Sequence, residues 1–321
     1  MSAPSAIAPA AAQRPVYARM ALLGLGLIGS SMAWAARRGG LVGEIAGHAR
    51  SAATRERARE LGFCDRVCDS PAEAVAGADL VVLCVPVGAI EAVMAEIAPH
   101  LAPGATLSDV GSVKAELIAA VRPHLPEGVH FVPGHPLAGT EHSGPDAGFA
   151  ELFEKRFCIL TPGDEVPEDA IARLAALWEG MGSHVERMTP EHHDLVLAVT
   201  SHVPHAIAYT MVGVADDLAR VSDSEVIRYS AAGFRDFTRI AASDPTMWRD
   251  VFLNNREAVL DILGRFSEEL MMVRRAIRTG DGDWLHAYFT RTRAIRRGIL
   301  EAGQDTDAPD FGRLGRPGPK R

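Results

Sequence analysis

Short apolar runs alternate with helix-like segments over the first part of the chain, up to about residue 188. This alternation is typical of a parallel sheet that is wrapped by helices. Between two runs, Ser70-Pro71-Ala72-Glu73 combines a capping box with a proline in the first turn, which predicts a helix start. The pattern predicts an α/β domain with a Rossmann-type, doubly wound sheet, whose predicted strands are Met20–Leu23, Val42–His48, Leu80–Val85, Thr106–Ser108, His130–Val132, Cys158–Leu160 and His184–Arg187.

After Met188 the periodicity becomes helical, in Glu191–Arg220, Ser224–Ala232, Met247–Thr279 and Asp283–Glu301. The apolar helix Leu195–Leu218 needs a partner surface, and a second copy of the chain in a symmetric homodimer would provide it. We therefore predict four segments: a disordered lead-in over residues 1–18, a dinucleotide-binding domain over 19–188, an all-helical substrate and dimerisation domain over 189–302, and a disordered tail over 303–321.

A glycine-rich turn follows the first predicted strand and reads Gly24-Leu25-Gly26-Leu27-Ile28-Gly29. The spacing alone is a weak signal, but here a strand precedes it and helix-forming residues follow. Gly24 permits a tight turn, Gly26 lets the backbone approach a pyrophosphate, and Gly29 allows close packing of helix and strand. The first-turn N–H groups, with those of Leu27 and Ile28 among them, then face the phosphates. The turn predicts a site for a nicotinamide dinucleotide.

The second predicted strand ends without the acidic residue that usually binds the ribose hydroxyls of NAD. The chain reads Gly47-His48-Ala49-Arg50-Ser51 at this point. Arg50 and Ser51 could instead receive the 2′-phosphate of NADP, whereas the alternative is that Arg50 is a solvated surface charge. We predict NAD(P)+ as the cofactor and expect NADP+ to be accepted.

Composition and charge narrow the class of partner. The net charge of −8 disfavours a nucleic-acid or membrane-surface binder, because both partners are polyanions that require a basic face. The chain shows no run of about 20 apolar residues that would predict a membrane span. Cysteine spacing gives no paired motif, which favours a reducing cytoplasm. We expect a cytoplasmic protein that acts on a small molecule, with no nucleic-acid or membrane partner.

Ligands of an open α/β sheet bind outside the carboxyl ends of its strands, so residues at those ends are candidates for the site. Val85 and Pro86 end the third run and form a predicted wall for the nicotinamide ribose. Ser112 follows the fourth run. His135 follows the fifth in a predicted loop between Gly and Pro, where it is well placed for proton transfer. The alternative is a loop histidine with only a structural hydrogen bond.

Several longer motifs surround these candidates. They are the glycine-rich turn, Asp109-Val110-Gly111-Ser112-Val113-Lys114, Gly134-His135-Pro136-Leu137-Ala138-Gly139-Thr140-Glu141, Ser201-His202-Val203-Pro204-His205, Gly233-Phe234-Arg235-Asp236-Phe237-Thr238-Arg239-Ile240-Ala241 and Asp244-Pro245-Thr246-Met247-Trp248-Arg249-Asp250. With these motifs the chain resembles the prephenate and arogenate dehydrogenases, the cyclohexadienyl dehydrogenases of tyrosine biosynthesis, over about residues 19 to 300. The resemblance implies oxidative decarboxylation of a cyclohexadienol to a phenol, with hydride transfer to the nicotinamide.

The resemblance also implies roles for individual residues. His135 accepts a hydrogen bond from the ring hydroxyl and draws off its proton, and Ser112 orients His135 or contacts the same hydroxyl. Arg239 binds the ring carboxylate, for which a planar guanidinium is suited, although a helix-surface ion pair is the alternative. His205 contacts the substrate, and the mouth of the site is lined by Thr140 and Glu141.

The helical half carries further histidines. His202 and His205 lie one helical turn apart around Pro204, which predicts a kink that aims both imidazoles into the crevice. Together with His192 and His193 they could suggest zinc, but no H-E-x-x-H arrangement occurs and the resemblance implies no metal, so we predict none. Trp248 could serve equally well in core packing or in contact with the site.

Two other function classes are compatible with a dinucleotide fold joined to a helical domain. A β-hydroxyacid or 6-phosphogluconate dehydrogenase relies on a lysine in the helical half, and no lysine occurs between Lys155 and Lys320. A regulator that binds the dinucleotide without turning it over would not need His135 and Arg239 in matched motifs. The choice between prephenate and arogenate stays open, because no residue that distinguishes keto from amino side chains is identified.

Overall fold

The computed structural model describes residues 14–140, 142–221 and 230–301. The chain divides into two compact units, one that ends at Leu260 and one that begins at Asp261. The tail predicted over residues 303–321, most of the predicted lead-in over 1–18 and most of the predicted helix Ser224–Ala232 lie outside the described residues.

A six-stranded parallel sheet forms the centre of the first unit, in the order β3-β2-β1-β4-β5-β6. Its strands are β1 (Tyr17–Leu23), β2 (Val42–His48), β3 (Arg66–Val67), β4 (Leu80–Leu83), β5 (Thr106–Asp109) and β6 (His130–Phe131). Leu22, Leu80 and Val82 are fully buried in its core. This order confirms the predicted Rossmann-type fold and places a ligand crevice beyond the carboxyl ends of β1 and β4, where the strand order reverses.

Helices connect these strands and cover the sheet. They are α1 (Leu27–Gly39), α2 (Ala52–Leu61), α3 (Pro71–Val75), α4 (Ile90–Ile97), α5 (Ala115–Val121) and α6 (Glu168–Gly180). The predicted helix start at Ser70 is confirmed, because the Ser70 hydroxyl accepts a hydrogen bond from the Glu73 N–H at 3.2 Å and Pro71 lies in the first turn. This helix therefore begins where the local sequence favours it.

A second, three-stranded sheet was not anticipated from the sequence. It consists of β7 (Gly134–Pro136), β8 (Phe157–Leu160) and β9 (His184–Arg187), with β7 antiparallel to β8 and β8 parallel to β9. The assignment of the last two predicted runs to the large sheet is wrong, and so is the loop predicted around His135, which pairs with Ile159. Because Gly and Pro usually interrupt strands, the residues on either side of His135 did not predict this strand of three residues.

Helices continue from Pro190 onward. They are α7 (Pro190–Leu197), α8 (Val203–Val221), α9 (Ala232–Thr238), α10 (Pro245–Asn254), α11 (Arg256–Thr279) and α12 (Gly282–Glu301). A π-helical turn over Ala198–His202 joins α7 to α8. This turn contains Thr200, whose carbonyl the ring of Pro204 would meet in a regular α-helix, so the irregularity predicted from Pro204 takes the form of a π turn.

Pro190–Asp217 is the one helical stretch of the described residues that is long and apolar enough to cross a membrane. No membrane span was predicted from the sequence, in which an apolar helix begins at Leu195. Its buried positions include His193, Asp194 and His202, and the Asp194 carboxylate accepts hydrogen bonds from the backbone at the start of α5. These polar contacts pack the beginning of the stretch against α5.

Candidate active site

The glycine-rich turn joins β1 to α1 and requires glycine at two positions. Gly24 has a φ of +111°, and a Cβ there would lie 2.2 Å from the Cys84 carbonyl oxygen. At Gly29 a Cβ would lie 2.1 Å from the Gly24 carbonyl oxygen. Gly24 therefore permits the tight turn against the end of β4, and Gly29 permits the close approach of α1 to that turn.

The start of α1 leaves room for a phosphate group. Gly26 is the N-cap, no side chain caps the helix, and the first turn contains no acidic residue. A Cβ at Gly26 would meet nothing within 4 Å, so the backbone is open on this side. Leu27 and Ile28 occupy the first turn, where N–H groups and the positive end of the helix dipole attract anions. These residues fit the pyrophosphate of a dinucleotide.

The turn after β2 lies at the same edge of the sheet. Ala49 is buried, whereas Arg50 and Ser51 are exposed. The Ser51 hydroxyl caps α2 by accepting a hydrogen bond from the Thr54 N–H at 3.4 Å. Arg55 fixes the turn, since its guanidinium donates to the carbonyl oxygens of Ala49 at 2.8 Å and Arg50 at 3.0 Å. The Arg50 side chain is thus carried on a rigid turn at the surface.

Val85 and Pro86 follow β4, which neighbours β1 on the side away from β2. Val85 is half-buried and Pro86 is exposed, at the start of a short 3₁₀ turn over Val87–Ala89. This turn contacts the helical part of the unit closely, since a Cβ at Gly88 would lie 2.8 Å from the Asp250 Oδ2 atom of α10. The predicted wall of the cofactor crevice is therefore fixed against α10.

A buried ion pair ties the end of β5 to β7. Lys114 and Asp109 are fully buried and paired with each other, and the Lys114 ammonium also donates to the Gly134 carbonyl oxygen at 2.7 Å. Asp109 in turn accepts from the Gly134 N–H at 3.2 Å. Buried charges remain stable only when they are paired and hydrogen-bonded, so this pair fixes the backbone next to His135. Both residues belong to the motif Asp109–Lys114, from which no role for them was predicted.

His135 projects from β7 and is 7% exposed. Its Nδ1 lies 2.8 Å from Nε2 of His193 on α7, and His193 Nδ1 lies 2.8 Å from the Asp194 carboxylate. Burial lowers the pKa of His135 well below its ordinary value, and the neighbouring His193 and Lys114 lower it further. The imidazole is therefore neutral at neutral pH and can accept a proton.

Ser112 is half-buried between β5 and α5, and its backbone lies beside the imidazole of His202. The structure gives no hydrogen bond from the Ser112 hydroxyl to His135. Instead, the partner of His135 is His193, which the sequence analysis considered only as part of a histidine cluster. Both roles expected for Ser112, orienting His135 and contacting the ring hydroxyl of the substrate, stay predictions.

His202 lies in the π turn and is fully buried. The Asn255 amide donates to the Asp194 carbonyl oxygen at 2.8 Å and to His202 Nδ1 at 3.0 Å. Burial lowers the pKa of His202 to about 4, so this imidazole is neutral and its Nε2 carries the hydrogen. The predicted aim of His202 into the crevice stays a prediction, and what the structure shows is a buried imidazole held by Asn255.

His205 on α8 and Trp248 on α10 stack face to face, with ring centroids 3.6 Å apart. The carbonyl oxygen of Ser201 accepts the Nδ1–H of His205 at 2.8 Å, which leaves Nε2 as an acceptor. Burial lowers the pKa of His205, and the positive charge of the nearby Arg239 contributes to this shift. Arg239 is exposed in a 3₁₀ turn over Arg239–Ala242. The two predicted substrate contacts are therefore electrostatic neighbours.

Trp248 contributes both to packing and to the site. It is 6% exposed and packs against Val113 and Val251. Its indole Nε1–H is buried without a hydrogen-bond partner among the described residues. A buried donor of this kind costs free energy until a partner is supplied, and a bound molecule is one such partner.

The predicted mouth of the site is only partly described. Thr140 follows β7, is half-buried, and accepts a hydrogen bond from the His142 N–H at 3.2 Å through its hydroxyl. Glu141 lies outside the described residues. The role of both in lining the mouth stays a prediction.

Comparison with known proteins identifies the family. Residues 32–187 match the family described as "Prephenate dehydrogenase, nucleotide-binding domain". Residues 189–291 match the family described as "Prephenate dehydrogenase, dimerization domain". The chain belongs to the prephenate dehydrogenase family. Members of this family are oxidoreductases, which confirms the enzyme class and the NAD(P)+ cofactor expected from the sequence.

Individual members of the prephenate dehydrogenase family support this. The cyclohexadienyl dehydrogenase of Zymomonas mobilis is 45% identical over 281 residues, which cover 88% of this chain and 96% of the relative. The crystal structure of prephenate dehydrogenase from Aquifex aeolicus, in complex with hydroxyphenyl propionate and NAD+, is 33% identical and has a TM-score of 0.82 over 88% of this chain and 98% of that chain. Synechocystis arogenate dehydrogenase has 26% identity and a TM-score of 0.73, over 88% of this chain and 99% of that chain.

The described residues of this chain contain no group of three or more His, Cys, Asp or Glu side chains that could hold a metal ion. The histidines weighed as a zinc cluster have separate environments. His192 is exposed, whereas His193 and His202 are buried and occupied by hydrogen bonds to Asp194 and Asn255.

Proposed function

We propose that this protein catalyses the oxidative decarboxylation of prephenate to 4-hydroxyphenylpyruvate, of arogenate to tyrosine, or of both, with NAD(P)+ as the hydride acceptor. One observation carries the proposal. A buried imidazole, His135, lies on β7 beside the carboxyl end of β5 and contacts His193. Asn255 joins the adjacent Asp194 to His202, and His202 packs on the same indole, Trp248, on which His205 stacks near the cation Arg239. A base and a carboxylate anchor in one crevice are what this reaction requires.

The cofactor would be held by the glycine-rich turn and by the strand ends on either side. The open backbone at Gly26 and the uncapped start of α1 would receive the pyrophosphate. Arg50 and Ser51 would lie beside the adenosine ribose, and Val85 and Pro86 beside the nicotinamide ribose. When bound, NAD(P)+ supplies the electron-deficient ring that accepts a hydride.

His135 would act as the general base. Its neutral imidazole accepts the proton of the ring hydroxyl as the hydride leaves the ring carbon that bears this hydroxyl. Loss of the ring carboxylate as CO2 then makes the ring aromatic, and the proton held by His135 returns to the phenolate oxygen, so that no net proton is released. Burial supports this role, because the proton is exchanged with the substrate rather than with bulk water.

The two carboxylates of the substrate require cationic or donor groups. Arg239 would bind the ring carboxylate through a bidentate pair of hydrogen bonds. His205, with Nε2 as an acceptor and its ring fixed against Trp248, would contact the substrate beside it. Ser112 would contact the ring hydroxyl, and Thr140 and Glu141 would line the mouth.

We also propose that the enzyme is a cytoplasmic homodimer that associates through residues 189–302. The match to a dimerization domain supports this, as do the exposed apolar side chains of Met271 (67%), Ile277 (65%) and Ile295 (63%). A homodimer interface would cover side chains of this type. Free thiols at Cys64, Cys68, Cys84 and Cys158 agree with a reducing compartment.

The test is a direct assay of the purified protein. Prephenate and arogenate are each mixed with NAD+ or NADP+, and formation of the reduced cofactor is followed by its absorbance. The wild type should turn over at least one substrate, and His135→Asn should bind the cofactor normally while kcat falls by about 10²–10⁴. Turnover of His135→Asn near the wild-type rate would overturn the assignment, as would a wild type that binds the cofactor but reduces none of it.

A further inference from the structure

We propose that His193 and Asp194 are positioning residues that hold His135 in one tautomer, with hydrogen on Nδ1, so that its Nε2 is the proton acceptor. The three side chains Asp194, His193 and His135 form what is called here the positioning chain. This inference rests on the proposed function, because it gives His135 the role of the base.

The positioning chain begins at the carboxylate of Asp194, whose orientation is fixed. Asp194 Oδ1 accepts the backbone N–H of Lys114 at 2.8 Å, and Oδ2 accepts that of Ala115 at 2.9 Å. Asp194 is 4% exposed, so water contributes little to its environment. Both carboxylate oxygens therefore act as hydrogen-bond acceptors, and Oδ1 also faces Nδ1 of His193.

The carboxylate determines the tautomer of His193. His193 Nδ1 lies 2.8 Å from Asp194 Oδ1, so Nδ1 must carry the hydrogen. Burial lowers the pKa of His193 below its ordinary value despite the carboxylate, and the imidazole is therefore neutral at neutral pH. A neutral imidazole with hydrogen on Nδ1 has a lone pair on Nε2.

His193 in turn determines the tautomer of His135. His193 Nε2 lies 2.8 Å from His135 Nδ1, and since His193 offers only a lone pair there, His135 must donate its Nδ1–H. The hydrogen of neutral His135 is then on Nδ1, and Nε2 is free to accept. The charged or titratable groups around His135 are Lys114 at the start of α5, His193 on α7 and His202 in the π turn.

The opposite polarity is unfavourable. If His135 carried its hydrogen on Nε2, then His193 would have to donate from its own Nε2 and would present a lone pair to Asp194. Two acceptors would then face each other at 2.8 Å inside a buried site, without a hydrogen between them. The Asp194 carboxylate, which acts through His193, thus sets which nitrogen of His135 is basic.

The first measurement is made on the wild-type protein, and a variant serves only to assign its spectrum. Histidine-selective ¹⁵N labelling of the full-length protein at neutral pH, with His135 assigned from the spectrum of His135→Asn, distinguishes protonated from unprotonated ring nitrogens. The expected result is a protonated Nδ1 and an unprotonated Nε2 for both His135 and His193. A protonated Nε2 on His135 would overturn the inference even if the dehydrogenase activity is established, and this spectrum can be read even if the assay for the proposed function fails.

The second measurement compares His193→Gln with His193→Leu. The Gln amide oxygen can still accept from His135 Nδ1–H, whereas Leu removes the acceptor at similar volume. His193→Leu should lower kcat by at least tenfold, which is part of the about 10²–10⁴ supplied by a general base, with KM changed less than threefold. His193→Gln should stay within about fivefold of wild type, and the exposed neighbour His192→Gln provides the control.

The outcomes separate positioning from a purely structural role. Retained cofactor binding together with a shift of the His135 ¹⁵N pattern in His193→Leu, but not in His193→Gln, supports the inference. Equal kcat in wild type and His193→Leu overturns it. Equal losses in the Leu and Gln variants, with the His135 tautomer unchanged, also overturn it, because the effect would then come from packing.

Discussion

The imidazole of His205 lies flat against the indole of Trp248, with ring centroids 3.6 Å apart and ring planes inclined by 23°. His205 is on α8 and Trp248 on α10, so the stack joins two helices that are separated by Arg239 and its 3₁₀ turn. The hydrogen bond from His205 Nδ1–H to the Ser201 carbonyl oxygen fixes the other edge of the ring. A predicted substrate contact is therefore held rigid from two directions before any ligand binds.

Replacing Trp248 with Leu should loosen this contact. Leu fills part of the volume but offers no aromatic face, and aromatic pairs contribute about 0.5–1.5 kcal/mol beyond their buried area. We expect KM for the substrate to rise by about two- to tenfold while the Kd of the cofactor stays unchanged. Steady-state kinetics and cofactor titration measure the two. Trp248→Phe keeps the stack and should stay near wild type, so equal KM values in the Phe and Leu variants would contradict the prediction.

Arg239 should contribute mainly to substrate binding. A charge-assisted hydrogen bond contributes about 1.5–3 kcal/mol, so Arg239→Gln should raise KM by about 10- to 100-fold. The change in kcat should be much smaller, because Arg239 contacts a carboxylate and not the reacting hydroxyl. Arg239→Lys should fall between wild type and Gln, since it keeps the charge but loses the bidentate geometry.

A nearby arginine provides the control for this experiment. Arg235 lies on α9, one helical turn before Arg239, and is also exposed. Arg235→Gln removes the same charge from the same surface, and KM should change little. Unchanged KM in Arg239→Gln, or an equal increase in both variants, would show that the assigned role is wrong.

The sheet was predictable because its strands are buried on both faces and read as continuous apolar runs, such as Leu80–Leu83. Two strands were not predictable. Arg66–Val67 has two residues and begins with a charge, and Gly134–Pro136 consists of His135 between two residues that usually interrupt strands. Both are formed by pairing with a neighbouring strand and not by local preference.

The candidate site was also predictable only in part. His135 was identifiable because strand ends in an α/β fold converge on the crevice and because its motif matches a family. The partners of His135 were not identifiable, since His193 lies 58 residues away and its neighbour Asp194 meets the backbone of Lys114 across 80 residues. A local pattern contains no information on such pairs. The available signal was an aspartate at the start of an apolar helix, a position where a buried carboxylate needs a partner.

Arg50 should determine how well NADP+ is used. The acid that binds the ribose of NAD is absent from the end of β2, and Arg50 follows there as an exposed side chain on the turn that Arg55 fixes. Among the described residues, Arg50 forms no ion pair. We expect NADP+ to be accepted, and Arg50→Ala to lower kcat/KM for NADP+ by about 10- to 100-fold through the loss of one charge-assisted contact. The value for NAD+ should change little. A strong preference of the wild type for NAD+, or equal losses with both cofactors, would contradict this.

The buried histidines should make the stability of the fold depend on pH. His135, His193 and His202 are 7%, 0% and 0% exposed, and burial lowers the pKa of each below the ordinary value of about 6.5. The unfolded chain therefore binds more protons than the folded protein below pH 6.5. Stability is fully present above that pH and falls as the pH decreases, for His202 until its folded pKa of about 4 is reached.

Urea unfolding between pH 7.5 and 5 measures this directly. Each of the three histidines contributes a slope of up to about 1.4 kcal/mol per pH unit below 6.5, and none above. Carboxylates do not contribute to the slope in this pH range. The pKa of Asp69, for example, is lowered by Arg59, so its contribution to stability is lost only at more acidic pH. His202→Gln should reduce the slope by about one proton's share. A free energy of unfolding that stays constant from pH 6.5 to 5 would mean that these imidazoles are not held neutral by burial.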